Sequence, residues 1–140
     1  MRGSAVFLIR ASRWDSLGVT ASLLCITHCL ALPVIAVVLP TLALAEIATH
    51  RVLVLLVFLM GILAFVSGYK RHRKRGVWIG CVLGVGMLLT AVLLPEQLVS
   101  EALETVLTVA GGAVMIVSHV ANARFCRVCL NCGEGGCGAV

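Results

Sequence analysis

Apolar residues gather into four long runs separated by short polar segments. Leu17 to Leu39 is 23 residues without a charged side chain, with His28 as its most polar member. Val52 to Gly68 has 17 uncharged residues, Gly76 to Pro95 has 20, and Ala102 to Ala123 has 22, broken only by Glu104. At about 1.5 Å per residue the first run reaches about 34 Å, against a hydrocarbon core about 30 Å thick. The second run lies at the short end of the spanning range. A segment in lipid must satisfy its backbone hydrogen bonds internally, so these runs predict helices. The expected architecture is an all-α polytopic membrane protein, an antiparallel bundle of four transmembrane helices over about 17–39, 52–68, 76–95 and 102–123. Residues 1–123 would form this domain, and residues 124–140 a short Cys-rich C-terminal tail.

Composition narrows the class. Hydrophobic residues make up 61% of the 140 and charged residues 12%, where a soluble domain carries about 25% charge. That excludes a soluble enzyme and a disordered chain. The first run followed by Ala43-Leu44-Ala45 has some look of a signal peptide. It is longer than the usual apolar core of about 7–15 residues, which favours a retained helix.

The formal net charge of +5 comes from eleven Lys and Arg against six Asp and Glu. With the N-terminus in the cytoplasm, four spans place Arg2, Arg10, Arg13, Lys70, Arg71, Arg73, Lys74, Arg75, Arg124 and Arg127 on that side, ten of the eleven bases. Only Arg51 stays opposite, with Glu46, Glu96, Glu101 and Glu104. The positive-inside bias therefore predicts cytoplasmic N- and C-termini. The run Tyr69-Lys70-Arg71-His72-Arg73-Lys74-Arg75 reads as a topogenic loop on anionic headgroups rather than a nucleic-acid site. Trp14 and Trp78 read as interfacial anchors. Gly76, Gly80 and Gly84 at four-residue spacing read as a helix-packing face. Pro33 should kink the first helix and free the carbonyl of Cys29. His50 and His72 fall in polar loops and are expected to be solvated, as are the four outer glutamates.

Candidate chemistry lies in the cysteines and histidines. In Cys25-Ile26-Thr27-His28-Cys29, positions i, i+3 and i+4 share a helix face. Two thiols and an imidazole at membrane depth suit a soft or borderline cation, with Hg(II), Cu(I) and Zn(II) as the candidates. The plain alternative is packing, since a free Cys behaves as a small hydrophobe. Packing is the expected role of Cys81. His119, Asn122 and Cys126 stand at i, i+3 and i+7, and His119 is either a metal ligand or half of an interhelical hydrogen bond. Cys126, Cys129, Cys132 and Cys137 put four thiols in twelve residues of a Gly-rich segment. That density points to soft-metal handling. No phosphate loop or nucleophile–base pair is present in the sequence, so neither an enzyme nor an organic cofactor is expected.

These features resemble the MerC family of inner-membrane mercury-resistance transporters. The resemblance rests on Trp14-Asp15-Ser16-Leu17-Gly18, on Cys25-Ile26-Thr27-His28-Cys29-Leu30 leading to Pro33, on the basic loop, on Ala110-Gly111-Gly112, and on His119, Asn122 and Cys126. It implies a multi-pass protein of the bacterial inner membrane that takes Hg(II) at Cys25 and Cys29. It further implies transfer to cytoplasmic thiols beginning with Cys126 and Cys129, and then to a cytoplasmic acceptor or reductase. The paired thiols are separated here by three residues rather than two, and His28 adds a borderline donor. Zinc or copper handling, or membrane thiol-redox chemistry, remain the alternatives.

Overall fold

The computed structural model describes residues 2–38, 46–94 and 100–131. The elements are α1 (Arg2–Val38), α2 (Glu46–His72), α3 (Arg75–Leu93) and α4 (Glu101–Asn131), with no strand among the described residues. Each apolar run thus lies on a helix, and α1, α2 and α4 extend well beyond their runs. Charged residues end an uncharged run but do not end a helix, because a helix leaving the hydrocarbon keeps its own backbone bonds. Helix α1 continues past Pro33. Helix α4 carries on through residues 124–131, so this first part of the expected tail is helical. Segments Thr49–Lys70, Arg75–Leu93 and Glu101–Arg127 are long and apolar enough to cross a membrane. Among the described residues α1 is not in that set.

Helix α4 touches each of the other three, while α1 and α3 do not meet among the described residues. The bundle therefore places α1 and α3 at opposite corners, with α2 and α4 between them. Antiparallel register follows from the contacts. Asp15 reaches Asn122, while Ile26, eleven residues further along α1, lies against Gly112 on α4.

The connections are locally encoded. Arg73 adopts φ 49 and donates its N–H to the Tyr69 carbonyl at 3.1 Å, ending α2 in the left-handed cap usually given to glycine. Ser100 opens α4, accepting the Leu103 N–H on its hydroxyl at 3.3 Å. Glu101 and Glu104 in the first turn complement the helix dipole.

The surface carries large apolar side chains, while the interior mixes apolar residues such as Phe65, Leu88 and Met115 with polar ones. Leu24, Val82 and Val117 are 56%, 59% and 68% exposed, while the interior holds Asp15, Ser22, His50, Thr108, Ser118, His119 and Asn122. Such a surface is compatible with lipid, and polar groups inside can bond across helices. Close approach of α3 and α4 depends on glycine. A Cβ on Gly111 would lie 3.0 Å from the Gly84 carbonyl oxygen, and one on Gly80 would collide with the Ser118 hydroxyl. Gly76 has nothing within 4 Å, so it does not belong to that packing face. Trp78 meets Tyr69 edge to face at 5.8 Å, and Cys81 packs in the core as expected.

Candidate functional site

Among the described side chains of α1, the buried positions are Asp15, Gly18, Ser22, Cys25 and Cys29. They follow alternating steps of three and four residues, so they form one face of the helix. That face lies against α2 and α4, making a polar, sulfur-bearing seam through the bundle. From Asp15 to Cys29 it runs about 21 Å at helical rise.

At one end of the seam Asp15, His119 and Asn122 are almost completely buried. The His119 ring donates through Nδ1 to Asp15 Oδ1 at 3.0 Å. Asn122 Nδ2 donates to both Asp15 oxygens at 3.0 and 2.9 Å, and also lies 3.3 Å from the Ala64 carbonyl on α2. Phe65 covers the imidazole, with ring centroids 4.6 Å apart. Two glycines make the space. A Cβ on Gly18 would overlap the His119 ring, and one on Gly68 would overlap the Asn122 amide. His119 Nδ1 thus makes the interhelical hydrogen bond that was one of its two expected roles, while its Nε2 is buried with no hydrogen-bond partner among the described residues.

At the other end Cys29 Sγ lies 3.7 Å from His50 Nε2. Thr108 Oγ1 of α4 lies 3.5 Å from the same nitrogen. His50 Nδ1 pairs with Glu104 Oε1 at 3.1 Å. This corrects two sequence expectations. His50 is not in a solvated loop: it sits one turn into α2 and is 6% exposed. Glu104 is not simple surface charge, because it holds that imidazole. His50 was missed because Arg51 marks the start of the uncharged run at Val52, and Glu104 because nothing along α4 reveals its partner on α2. The helix begins earlier, at Glu46, and carries His50 inward.

Between these ends lies Cys25, fully buried beside Val54 and Val57 in the core. No disulfide joins Cys25, Cys29, Cys81 or Cys126 among the described residues. His28 is half-buried, and its Nδ1 is enclosed with no hydrogen-bond partner. Cys25, His28 and Cys29 share a helix but do not gather into a ready-made cage. Among the described residues no three His, Cys, Asp or Glu side chains converge as a bound metal ion requires. On α4, His119, Asn122 and Cys126 do form the single stripe expected, and it faces the interior, with Cys126 5% exposed. Cys132, Cys137 and the side chain of Cys129 lie outside the described residues, as does the Ala43-Leu44-Ala45 segment.

Sequence reasoning reached Cys25, Cys29, His119 and Asn122 through spacing. It missed the positional roles of Asp15, Ser22, Thr108 and Glu104. The available signal was the three-and-four spacing carried back from Cys25 to Asp15.

Comparison with known proteins gives one match. A model of a family described as MerC mercury resistance protein matches residues 15–124. The matched stretch begins at Asp15 and takes in Cys25, Cys29, His50 and His119, ending before Cys126. Neither the curated proteins nor the solved structures contain a match to this chain.

Proposed function

We propose, from the premise that this chain belongs to the MerC mercury resistance protein family, that it moves a thiophilic metal ion, Hg(II) foremost, across the bacterial inner membrane. Membership of that family and the three long apolar helices make it a membrane protein tied to mercury resistance. Substrate, route and topology are our reading. In it α1 is the fourth span, both termini face the cytoplasm, and the outer mouth lies at His50 and Glu104. The ion is taken by Cys29 and Cys25. It then passes by thiol exchange toward Cys126 and the tail thiols Cys129, Cys132 and Cys137, and finally to a cytoplasmic acceptor or reductase.

One observation carries this reading. Both α1 thiols turn inward onto the polar seam rather than outward among the leucines. A cysteine recruited only as a small hydrophobe has no need of an imidazole at 3.7 Å. A thiol in a protein-lined interior can exchange ligands without exposing a charge to hydrocarbon, where such exposure costs about 2.5 kcal/mol or more. Thiolates are also the ligands that soft cations prefer.

The experiment is Hg(II) accumulation in bacterial cells expressing the full chain. Expression raises uptake and, in the absence of a reductase, sensitivity to Hg(II). Cys25→Ser and Cys29→Ser each remove that gain at equal membrane abundance. Uptake that survives replacement of both thiols together would refute the relay.

A further inference from the structure

We propose that His50, not only the two thiols, is a metal donor, and that with Cys29 and Cys25 it forms a site for a borderline divalent cation such as Zn(II). The inference rests on the relay reading above and extends its cargo beyond strictly thiophilic ions. It comes from the two ring nitrogens of His50, which are treated differently. Nδ1 has a close carboxylate partner, Glu104 at 3.1 Å. A carboxylate accepts, so Nδ1 carries the hydrogen of the neutral ring and Nε2 presents a lone pair. This is the arrangement by which proteins orient a metal-binding histidine, with the far nitrogen tied to a carboxylate and the near one aimed at the ion.

Nε2 faces the thiol. Its neighbours are Cys29 Sγ at 3.7 Å, an ordinary contact to sulfur, and Thr108 Oγ1 at 3.5 Å, at the limit for nitrogen and oxygen. A lone pair engaged by a thiol and a long hydroxyl contact can be taken over by an ion. The separation also suits an ion. Zinc bonds of about 2.3 Å to sulfur and about 2.0–2.1 Å to nitrogen put the two donors about 3.6 Å apart across a tetrahedral angle. The resting structure thus holds one edge of such a site. Cys25, one helical turn inward, supplies the third donor by rotation of its side chain. On binding, each ligating thiol gives its proton to water and binds as thiolate, so a divalent ion with two thiolates and one neutral imidazole carries no net charge.

The partition between nitrogen and sulfur sets selectivity. Imidazole adds affinity for Zn(II), whereas Hg(II) is held by thiolates alone. The test uses the full chain in detergent or nanodiscs with Cys126, Cys129, Cys132 and Cys137 replaced by Ser, titrated with Zn(II) and with Hg(II) in parallel. His50→Gln is expected to weaken Zn(II) binding about 10- to 100-fold and Hg(II) binding by much less, and Glu104→Gln to weaken Zn(II) binding about 10-fold. X-ray absorption of Zn(II) bound to this tail-substituted parent, with Cys25, Cys29 and His50 intact, is expected to show nitrogen beside sulfur, a readout that needs no substitution in the site itself. Sulfur-only ligation, no Zn(II) binding by the parent, or an unchanged Zn(II)-to-Hg(II) affinity ratio in His50→Gln would each overturn the assignment and leave the relay standing. Hg(II) uptake unaffected by loss of both α1 thiols would instead remove the relay on which the assignment rests.

Discussion

The seam has a histidine–carboxyl pair at each end, and the two pairs are built differently. In the Asp15 cluster the hydrogen bonds run from 2.9 to 3.3 Å, and the carboxyl serves α4 through two residues at once. Around His50 one contact is close and two are long, and the Glu104 side chain is 39% exposed. Tight, enclosed geometry ties α1 and α2 to α4 at Asp15. At His50 the partners are a thiol, a hydroxyl and a partly exposed carboxylate. On our proposal the first pair clamps and the second receives a ligand; what separates them is the thiol beside His50 and the exposure of Glu104, since at the clamp end His119 Nε2 is itself buried with no hydrogen-bond partner among the described residues.

The largest effect expected from this contrast is at Asp15. Asp15→Ala strands the His119 and Asn122 donors in the bundle interior. Stranded buried groups cost about 1–3 kcal/mol each in water-soluble proteins, and interhelical bonds in membranes are worth about 0.6 kcal/mol on average. The sum should be about 2–3 kcal/mol, read from reversible unfolding in mixed detergent and SDS. A loss below about 0.5 kcal/mol would mean that the Asp15 cluster does not clamp the helices.

Next in size is Gly18→Ala. The added methyl overlaps the His119 ring, which is held by Asp15 and Phe65 and cannot easily move. Overpacking of this kind costs about 1–3 kcal/mol. Gly76→Ala is the matched control, because nothing lies within 4 Å of its new Cβ. There the only consequence is helix propensity, which favours Ala by up to about 1 kcal/mol. Equal destabilisation by both substitutions would show that loss of glycine, and not contact with His119, was being measured.

The two ends were not equally legible in the sequence. Hydropathy runs gave the four helices, because backbone satisfaction in lipid permits little else. Spacing brought Cys25 and Cys29 onto one face, and His119 with Asn122 onto another, since those pairs are local to a helix. What spacing along one helix cannot give is the partner across the bundle. Asp15 meets His119 over 104 positions of sequence, and Thr108 meets His50 over 58. His28 looked like the natural third donor because it sits between the thiols in sequence. The imidazole found beside Cys29 is that of His50, because the antiparallel return of α2 sets it opposite, a relation of register rather than of neighbourhood. The sequence also treats a charged residue as the end of a span. That convention hid His50, which stands in the first turns of α2 and is buried.

The smallest predicted stability effect sharpens the comparison most. Glu104→Gln keeps the side chain's shape and an oxygen able to accept from His50 Nδ1, and removes only the carboxylate charge. Because that side chain is 39% exposed, water already screens the pair. Exposed pairs of this kind are worth about 0–1 kcal/mol, so unfolding should shift by less than about 1 kcal/mol. The same change at the other end, Asp15→Asn, introduces two N–H donors where Asn122 and His119 already donate to both oxygens. It should therefore cost clearly more than Glu104→Gln under identical conditions. If the two isosteric changes destabilise the bundle equally, the outer cluster is a second clamp. His50 would then be a structural tie, and its place beside Cys29 would no longer argue for a receptive site.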